Sequence, residues 1–504
     1  MMDYRRILHA TAEVARVFSL LMILPIIVAL VYEPFDTSVL GLQLPRNVLV
    51  FLASGLLMAL YWLPVMVGTS AVKDDDLQDR EAYLVVGIGW LVLTLFAMMP
   101  FLLSRTFDNP VDAWFEAMSG LTTTGATAIS GQLEDVARSV MFWRALLQYI
   151  GGMGIIVLSV AVLARLTHGG VQLLQAETPG PSVTKLAPKL AQTAKTLWLV
   201  YAIFSGILFV ILAGLFIQHG MTGADAIYDA LIHTFTTLST GGFSNHTESI
   251  AYYDSWLIEA VIMAFMLVAA TNFTLLFHAG KGDFRTLLRD REWRFFMGMF
   301  VGIVVVSTGM LWRLGQGLAD ALRDSLFTVA TMATGTGYVT ADYNAWPASL
   351  KLILIILMLT GGAAGSTTGG MKVVRIMLLI KVVRRELRKL LHPRAVIPIR
   401  LGGRVLKEET LFTAIAFFFS FITLWMVGAW LLIVIEPGMD AFSGAALSAA
   451  SIANIGPSMG LVGPTDHAGD LTNASKLLMT ALMWVGRLEV FTALLLFSPN
   501  AWRK

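Results

Sequence analysis

Ten apolar runs divide this chain, and most of them are long enough to cross the hydrocarbon core of a membrane, which is about 30 Å thick. The runs lie at 17–32, 47–67, 83–103, 140–163, 197–217, 256–277, 295–312, 350–379, 411–435 and 477–497. Because a backbone in lipid must satisfy its own hydrogen bonds, each run is expected to be helical. The sequence therefore predicts an all-α integral membrane protein with ten spans.

Composition supports this class, since the 504 residues are 56% apolar and only 14% charged. The first run follows Arg5 and Arg6, as the core of a secretory signal would. However, no small-residue cleavage site follows it, and Arg16 abuts the run, so we expect an uncleaved first span. The sequence contains no cysteine, which excludes disulfides, thiolate metal sites and cysteine nucleophiles.

Lys and Arg are distributed unevenly between the loops. Eleven lie in 372–407 and five in 281–294, whereas 219–256 and 436–475 contain none. Because positively charged loops stay in the cytoplasm, the two basic segments are predicted to be cytoplasmic. Ten spans then place both chain ends inside, where basic residues also occur. Those residues are Arg5, Arg6, Arg503 and Lys504.

Four polar turns recur in this apolar chain, at 122–126, 238–242, 333–337 and 453–457, and the inferred topology puts all four on the outer side. Aligned on one glycine each, they recur at similar intervals along the sequence. The glycines used for this alignment are Gly125, Gly241, Gly335 and Gly456. A segment too short to cross a membrane precedes each turn and is predicted to be a re-entrant half-helix. The half-helices are expected at 111–120, 224–237, 319–332 and 441–452.

Each predicted unit is thus span, half-helix, polar turn and span. Four pseudo-symmetric units are expected at 79–168, 193–280, 293–392 and 408–498, after an N-terminal pair of extra spans in 1–70. Irregular backbone at membrane depth survives only where protein or water surrounds it, so the four turns should meet around one axis. Carbonyl oxygens on such an axis can replace the hydration shell of a cation. The negative ends of the half-helices would also favour a cation there.

The residues of the turns and their surroundings resemble the Trk/Ktr/HKT superfamily of potassium transporters, most closely its bacterial TrkH/TrkG branch. The stretches that carry the resemblance are SGLTTTGA at 119–126, QYIGGMGII at 148–156, LSTGGFS at 238–244, TGTG at 334–337, GGAAGSTTGGMK at 361–372 and NIGP at 454–457. The resemblance covers nearly the whole chain. The two spans ahead of the first unit are typical of the Trk branch.

The resemblance implies potassium uptake across the bacterial cytoplasmic (inner) membrane by a homodimer with a cytosolic nucleotide-binding regulatory subunit of the TrkA type. Potassium is then the substrate, with Rb⁺ also accepted, and the chain binds no further cofactor. The potassium-binding filter backbone that the resemblance implies is Thr123, Thr124, Gly125, Ser239, Thr240, Gly241, Ala333, Thr334, Gly335, Asn454, Ile455 and Gly456. In this alignment the fourth turn has Ile455 where the others have threonine, which leaves the selectivity for K⁺ over Na⁺ open.

A glycine-rich segment at 361–370 interrupts the second span of the third unit. Five glycines in ten residues cannot form a stable helix interior, since each costs about 1 kcal/mol relative to alanine. Two interpretations are open: an intramembrane gating loop beneath the filter, which the family favours, and a kink that lets another helix pack closely. The gating residues expected here are Gly361, Gly362, Gly365, Ser366, Thr367, Thr368, Gly369 and Gly370.

Arg487 lies deep inside the last apolar run, about 16 Å past Lys476 at the helical rise of about 1.5 Å per residue. An arginine at this depth is costly and indicates a function. Glu489, two positions away, points elsewhere on a helix. We expect Arg487 to face the glycine-rich segment and act in gating, as the resemblance also implies. A purely structural arginine bonded to helix carbonyls is the alternative.

The basic segment 372–407 has three possible explanations. Topology alone accounts for it, membrane lipid head groups are ordinary partners for it, and the regulatory subunit is the more specific partner. No nucleic-acid partner is expected for a membrane-embedded chain of this kind.

Other functional classes fit the sequence less well than a gated potassium pore. A sodium-permeable or ion-coupled (H⁺ or Na⁺) symporter of the same fold stays open. A transporter built from inverted repeats would place half of the turns on the opposite side. An intramembrane metalloenzyme would need a metal motif, and His219, His233 and His246 form no HExxH pattern, so we expect no enzyme.

Overall fold

The computed structural model describes residues 4–39, 42–70, 79–163, 186–402 and 404–502. Residues 164–168 of the predicted first unit, residues 1–3 and 40–41 of the N-terminal pair, and the basic residues Arg503 and Lys504 lie outside this part. The described residues are predominantly helical, as the all-α prediction required, with two short antiparallel hairpins in addition. The hairpins pair β1 (Thr37–Val39) with β2 (Leu42–Leu44), and β3 (Arg400–Leu401) with β4 (Arg404–Val405).

The helices follow one another in a repeated order of long, short and long. In chain order they are α1 (Tyr4–Leu21), α2 (Ile23–Tyr32), α3 (Arg46–Gly68), α4 (Asp79–Ala97), α5 (Met99–Leu103), α6 (Pro110–Leu121), α7 (Arg138–Leu163), α8 (Leu186–Gln218), α9 (Gly223–Leu238), α10 (Trp256–Ala269), α11 (Phe273–Gly280), α12 (Phe284–Arg289), α13 (Arg291–Arg313), α14 (Leu318–Thr334), α15 (Ala348–Thr360), α16 (Val373–Leu391), α17 (Glu408–Ile435), α18 (Ala441–Ile452), α19 (Asn473–Arg487), α20 (Phe491–Leu496) and α21 (Pro499–Trp502).

Six helices of the described part are long and apolar enough to cross a membrane, and a bent pair, α10 with α11, makes a seventh if it counts as one span. They cover the predicted first, second, third, fifth, seventh and ninth spans, and the bent pair covers the sixth. The predicted spans 140–163, 350–379 and 477–497 are not among them. In the last two, α15 has 13 residues and α19 has 15, because both helices end early. The count of ten spans therefore stays a prediction.

The four short helices α6, α9, α14 and α18 form within two residues of the predicted half-helices. Polar residues define three of their starts, since Asn109, Thr222 and Asp440 each accept a hydrogen bond from a free backbone N–H of the first turn. Each helix is followed within two residues by a residue with positive φ, described below. These four helices position the turns that follow them.

Three of the helices that follow the turns are broken, whereas the sequence predicted only the break between α15 and α16. The continuous spans predicted at 256–277 and 477–497 are therefore wrong in this respect. The axes of α10 and α11 differ by 109° across residues 270–272. The last span breaks at Glu489 and Val490, which both have positive φ. The chain compensates for the first break with the Asn272 side chain, which accepts from Thr274 N at 2.8 Å and caps α11.

The surface of α3 carries a continuous apolar stripe. Its members are Leu52, Leu56, Leu60, Leu63 and Val67, and each is more than half exposed. Their spacing places them on one face of the helix. A stripe of this kind in an isolated chain matches a surface that lipid covers. The buried apolar residues instead form two large clusters, and the turn residues Ala333, Ala453 and Ile455 belong to one of them.

Candidate functional site

The four half-helices end in the same way. The residue after the last turn of each adopts a left-handed conformation, with φ of 53° at Thr123, 52° at Thr240, 68° at Gly335 and 57° at Asn454. The next backbone N–H then bonds to a carbonyl oxygen five residues earlier, which satisfies one of the free carbonyls of the helix end. These bonds join Thr124 to Ser119, Gly241 to Thr236, Thr336 to Thr331 and Ile455 to Ala450, at 2.8–3.0 Å.

Two residues beyond each left-handed residue lies a glycine with φ between 72° and 92°. We call these four residues the glycine ring: Gly125, Gly242, Gly337 and Gly456. Each ring glycine packs so closely on the next turn that a Cβ would overlap a carbonyl oxygen there. The carbonyl oxygens, in order, are those of Gly241, Thr336, Ile455 and Thr124. The fourth contact returns to the first turn, so the four turns form a closed circle.

The circle corrects the alignment of the turns that the sequence suggested. Gly242 and Gly337 correspond to Gly125, whereas the sequence had matched Gly241 and Gly335. The reason is that α14 continues to Thr334, so Gly335 takes the left-handed position that Thr123, Thr240 and Asn454 occupy elsewhere.

The corrected alignment also changes the odd position of the fourth turn. Ile455 now stands opposite Thr124, Gly241 and Thr336, so threonine occupies this position in two turns only.

The structure places nine of the twelve predicted filter residues at three positions of the turns. Thr123, Thr240, Gly335 and Asn454 are the left-handed residues; Thr124, Gly241 and Ile455 precede ring glycines; and Gly125 and Gly456 belong to the ring. Ser239, Ala333 and Thr334 lie in or just after the last turn of their half-helices, away from the ring contacts. Thr336, Gly242 and Gly337 complete the circle although the sequence did not select them.

Side-chain hydrogen bonds within and between the turns stiffen them. The hydroxyls of Thr122 and Thr124 lie 2.7 Å apart, and those of Thr334 and Thr336 lie 2.8 Å apart. The Asn454 side chain donates to Thr124 Oγ1 at 3.0 Å and thereby joins the fourth turn to the first. The hydroxyls of Thr122, Thr124, Thr334 and Thr336 thus bond to protein atoms, whereas Thr123 Oγ1 is buried without a hydrogen-bond partner.

A cavity opens on one face of the ring, and all four ring glycines line it together with Arg144, His246 and Asp466 among others. Several carboxylates in the half-helices and the loops after them are paired: Asp112 with Lys476, Asp225 with Arg138, Asp229 with His246, and Asp254 with Arg323. Such pairing reduces the net negative charge that could attract cations to the cavity.

The segment 361–370, which we call the glycine loop, packs against the turns, and none of its residues is among those that line the cavity. Thr240 Oγ1 donates to Thr367 Oγ1 at 3.2 Å, which joins the second turn to the loop. Gly369 packs so closely on the carbonyl oxygen of Ala453, at the end of α18, that a Cβ would overlap it. The loop therefore touches the second and fourth turns directly.

The break between α10 and α11 seats this loop. The backbone N–H of Ala363 donates to Ala270 O at 2.9 Å, and the Asn272 side chain donates to Ala364 O at 2.8 Å. On the far side, Glu292 Oε1 accepts from Ala364 N at 2.8 Å and from Val374 N at 3.2 Å. The backbone groups freed by the missing helical turns thus bond to one another and to two side chains.

Arg487 contacts the glycine loop, as the sequence predicted. Its Nη1 donates to Thr367 O at 2.9 Å and its Nη2 to Gly151 O at 3.1 Å, and the residue is only 2% exposed. Glu489 pairs with Arg375 at 2.6 Å instead. Arg487 thereby joins the loop to α7, which is distant from both in the sequence.

Two further buried cations near the ring were missed. Lys372, at the end of the glycine loop, has positive φ and donates to Thr368 Oγ1 at 3.0 Å. Arg144 on α7 pairs with Glu116 on α6 at 2.5 Å, and both side chains are almost fully buried. Arg144 also donates to Ser244 O at 3.0 Å. A charge inside the apolar run 140–163 was the available signal for Arg144.

Two of the three histidines considered as metal ligands, His233 and His246, have other partners. His246 Nε2 lies 2.7 Å from Asp229 Oδ2, and His233 Nε2 lies 3.2 Å from Ser244 Oγ. Within the described ranges, no group of three or more His, Cys, Asp and Glu side chains is arranged to hold a metal ion.

Comparison with known proteins identifies the family. The model of the TrkH family, described as a cation transport protein, matches residues 57–504. The chain is 38% identical over 508 residues to the Trk system potassium uptake protein TrkH of Salmonella typhimurium, with 100% of each chain covered. It is 34% identical to the potassium uptake protein TrkG of Escherichia coli, with 99% of each covered.

A solved structure agrees with these sequence relatives. The crystal structure of the potassium transporter TrkH from Vibrio parahaemolyticus superposes with a TM-score of 0.84 at 33% identity, and the match covers 100% of both chains. Sequence and fold thus agree over the full length. The chain belongs to the TrkH family of membrane cation transport proteins, and this family is one of transporters, not enzymes.

Proposed function

We propose that this chain takes up potassium ions across the bacterial cytoplasmic membrane through the glycine ring. The single observation that carries the proposal is the closed circle of ring glycines and carbonyl oxygens at the ends of four half-helices. Its relatives are named potassium uptake proteins, in agreement with this substrate. Potassium is the cargo, and Rb⁺, of similar size, should follow the same route.

The chemistry of the ring suits a dehydrated cation. Four half-helices point their carboxyl ends, which carry partial negative charge, toward the ring. Because the ring glycines have no side chain, the four backbones come close enough for their carbonyl oxygens to replace water around one ion. We assign the coordinating backbone to residues 123–125, 240–242, 335–337 and 454–456. This set keeps most of the residues expected from the sequence and adds Gly242, Thr336 and Gly337.

The glycine loop and Arg487 form the gate in this proposal. The loop contacts the second and fourth turns, and the Arg487 guanidinium donates to the carbonyl oxygen of Thr367 in it, which supports this role. A fixed positive charge beneath a cation filter also opposes the passage of a second cation. Movement of the loop, hinged at glycines with positive φ such as Gly361 and Gly370, would open the route.

The wider arrangement follows from charge and family. Four pseudo-symmetric units after two extra spans, ten spans in all, would place both chain ends in the cytoplasm with the basic segments 281–294 and 372–407. The cavity then opens outside and the glycine loop faces the cytoplasm. A homodimer controlled by a TrkA-type nucleotide-binding subunit is the assembly we propose, with α16 as the docking element for that subunit.

A sodium-permeable or ion-coupled version of the same route is the second candidate. The four turns are not identical, because the residue before the ring glycine is Thr124, Gly241, Thr336 or Ile455. This difference favours the second candidate. An unequal ring constrains ion size less uniformly than four identical turns. Coupling to H⁺ would appear as acidification of the vesicle lumen during uptake, which a pH dye reports.

The test is ⁸⁶Rb⁺ uptake into proteoliposomes, with Na⁺ as competitor. Gly125→Ala should abolish uptake, since its Cβ would overlap the carbonyl oxygen of Gly241. Gly438→Ala is the matched control, because Gly438 also has positive φ but no atom near the added Cβ. Equal uptake by wild type and Gly125→Ala would reject the ring as the route. Deletion of part of 361–370 should raise flux, and unchanged flux would reject the gate.

A further inference from the structure

Gln148 on α7 binds the backbone on both sides of the ring glycine Gly242. Its Nε2 donates to Gly241 O at 2.7 Å, and its Oε1 accepts from Phe243 N at 3.1 Å. The side chain is fully buried. One planar amide therefore satisfies both peptide groups that flank the glycine.

These two hydrogen bonds matter because a glycine allows its neighbouring peptide groups to rotate. Gly242 has φ of 72°, in a region where glycine moves between conformations with little steric cost. Rotation of the peptide after Gly241 would turn the carbonyl that contacts Gly125 away from the circle. The Gln148 amide opposes that rotation, since a buried donor and acceptor would both lose their partners.

Hydrogen bonds of other kinds join the other three pairs of neighbouring turns. Between the second and third turns, Tyr338 Oη lies 2.5 Å from Thr236 Oγ1; between the third and fourth, Asn344 Oδ1 accepts from Gly460 N at 2.8 Å. Between the fourth and first turns, Asn454 donates to Thr124. Within the part of the chain that is described, Gln148 is the one side chain that bonds on both sides of a ring glycine.

Arg144, one helical turn before Gln148 on α7, strengthens the same contact between the first and second turns. It donates to Ser244 O at 3.0 Å, and its guanidinium lies 3.6 Å from the centre of the Phe243 ring. Its partner Glu116 accepts from Ala128 N at 2.7 Å, just beyond the first turn. Residues 144 and 148 of α7 thus hold the chain leaving the second turn, and Arg144 links it to the chain leaving the first.

We infer that Gln148 is a selectivity-determining positioning residue for the cation that passes the ring. By fixing the peptides around Gly242, it keeps the Gly241 carbonyl at the distance that suits a larger ion. Carbonyl dipoles that can move inward would adapt to the smaller Na⁺ and lose discrimination. This inference rests on the proposed function of the ring.

The test compares Gln148→Leu and Gln148→Glu with wild type in ⁸⁶Rb⁺ uptake into proteoliposomes over a series of Na⁺ concentrations. Leu removes both bonds at similar volume, and Glu keeps the acceptor for Phe243 N but loses the donor to Gly241 O. Both variants should still take up ⁸⁶Rb⁺. Na⁺ should inhibit Gln148→Glu, which loses one hydrogen bond, at about fivefold lower concentration than wild type, and Gln148→Leu, which loses both, at a lower concentration still. Gln316→Leu, far from the ring and bonded to Asp324, is the control and should match wild type.

The outcomes separate this inference from the proposed function. Wild-type inhibition by Na⁺ in a Gln148 variant that still transports would overturn the inference, even if Gly125→Ala abolishes uptake. If Gly125→Ala transports normally, the ring itself is rejected. If Gln148→Leu does not run as a monodisperse species in detergent, Gln148→Glu decides, and wild-type selectivity of that variant overturns the inference. Failure of both variants to assemble also overturns it, since a purely structural role would then explain Gln148.

Discussion

Gly337 packs against the carbonyl oxygen of Ile455 so closely that no side chain fits between them, whereas Gly335, two residues earlier, has room for a Cβ at ordinary van der Waals distances. A Cβ on Gly335 would meet no atom nearer than Ile455 Cγ1 at 3.7 Å. Both glycines have positive φ, so they share the backbone requirement and differ in surroundings. The pair therefore separates the backbone strain of a turn from closure of the circle.

Gly337→Ala should abolish ⁸⁶Rb⁺ uptake, and Gly335→Ala should retain most of it. The second change costs only the strain of an L-residue in the left-handed region, about 1–2 kcal/mol of stability. Uptake per assembled protein in proteoliposomes is the measurement. The reverse order would restore the alignment that the sequence alone suggested, with Gly335 as the partner of Gly125.

Arg144→Met should destabilise the protein strongly, because it leaves the Glu116 carboxylate buried without its partner. Breaking a buried pair in this way costs about 3–5 kcal/mol. The double variant Arg144→Met, Glu116→Leu should recover part of the loss, since no charge is then left unpaired. Thermal unfolding in detergent measures both. Lys389→Met, at an exposed pair with Glu386, is the control and should not shift the midpoint. An equally small shift for Arg144→Met would contradict the structure here.

Glu292→Gln should loosen the glycine loop and raise ⁸⁶Rb⁺ flux severalfold without added regulatory subunit. Glu292 holds the loop through Ala364 N and Val374 N, and bonds to a charged acceptor are roughly twice as strong as neutral ones. Initial uptake rates are the readout. Glu409→Gln, at an exposed carboxylate early in α17, serves as the matched control. A flux that stays at the wild-type rate would show that this carboxylate does not restrain the loop.

The sequence predicted local features well and long-range ones poorly. The predicted half-helices agree with the observed helices within two residues, because the capping residues and turn glycines that define them are close in the sequence. Lys372 carried no such signal, nor did the bend at 270–272, because that bend depends on Ala363 and Gly365, far along the chain. The positive φ of Val490, a β-branched residue, is equally invisible in sequence because tertiary contacts must impose it.

Within the site, the sequence found the turns but misaligned two of them. Both Gly241 and Gly242 follow Thr240, and both Gly335 and Gly337 follow a threonine, so Thr-Gly pairs offer two alignments of each turn. Only the length of α14 and the contacts between turns decide between them. The role of Gln148 depends on the same contacts, since its partners lie 93 and 95 residues further along the chain.

The most direct test of the glycine ring as the cation site is anomalous X-ray scattering from crystals of the protein grown in Rb⁺. A peak enclosed by residues 123–125, 240–242, 335–337 and 454–456 is predicted, and it should disappear in Gly337→Ala crystals. Crystals at saturating Rb⁺ that show no peak inside the circle would contradict this cation site, provided that the same preparation takes up ⁸⁶Rb⁺ in proteoliposomes.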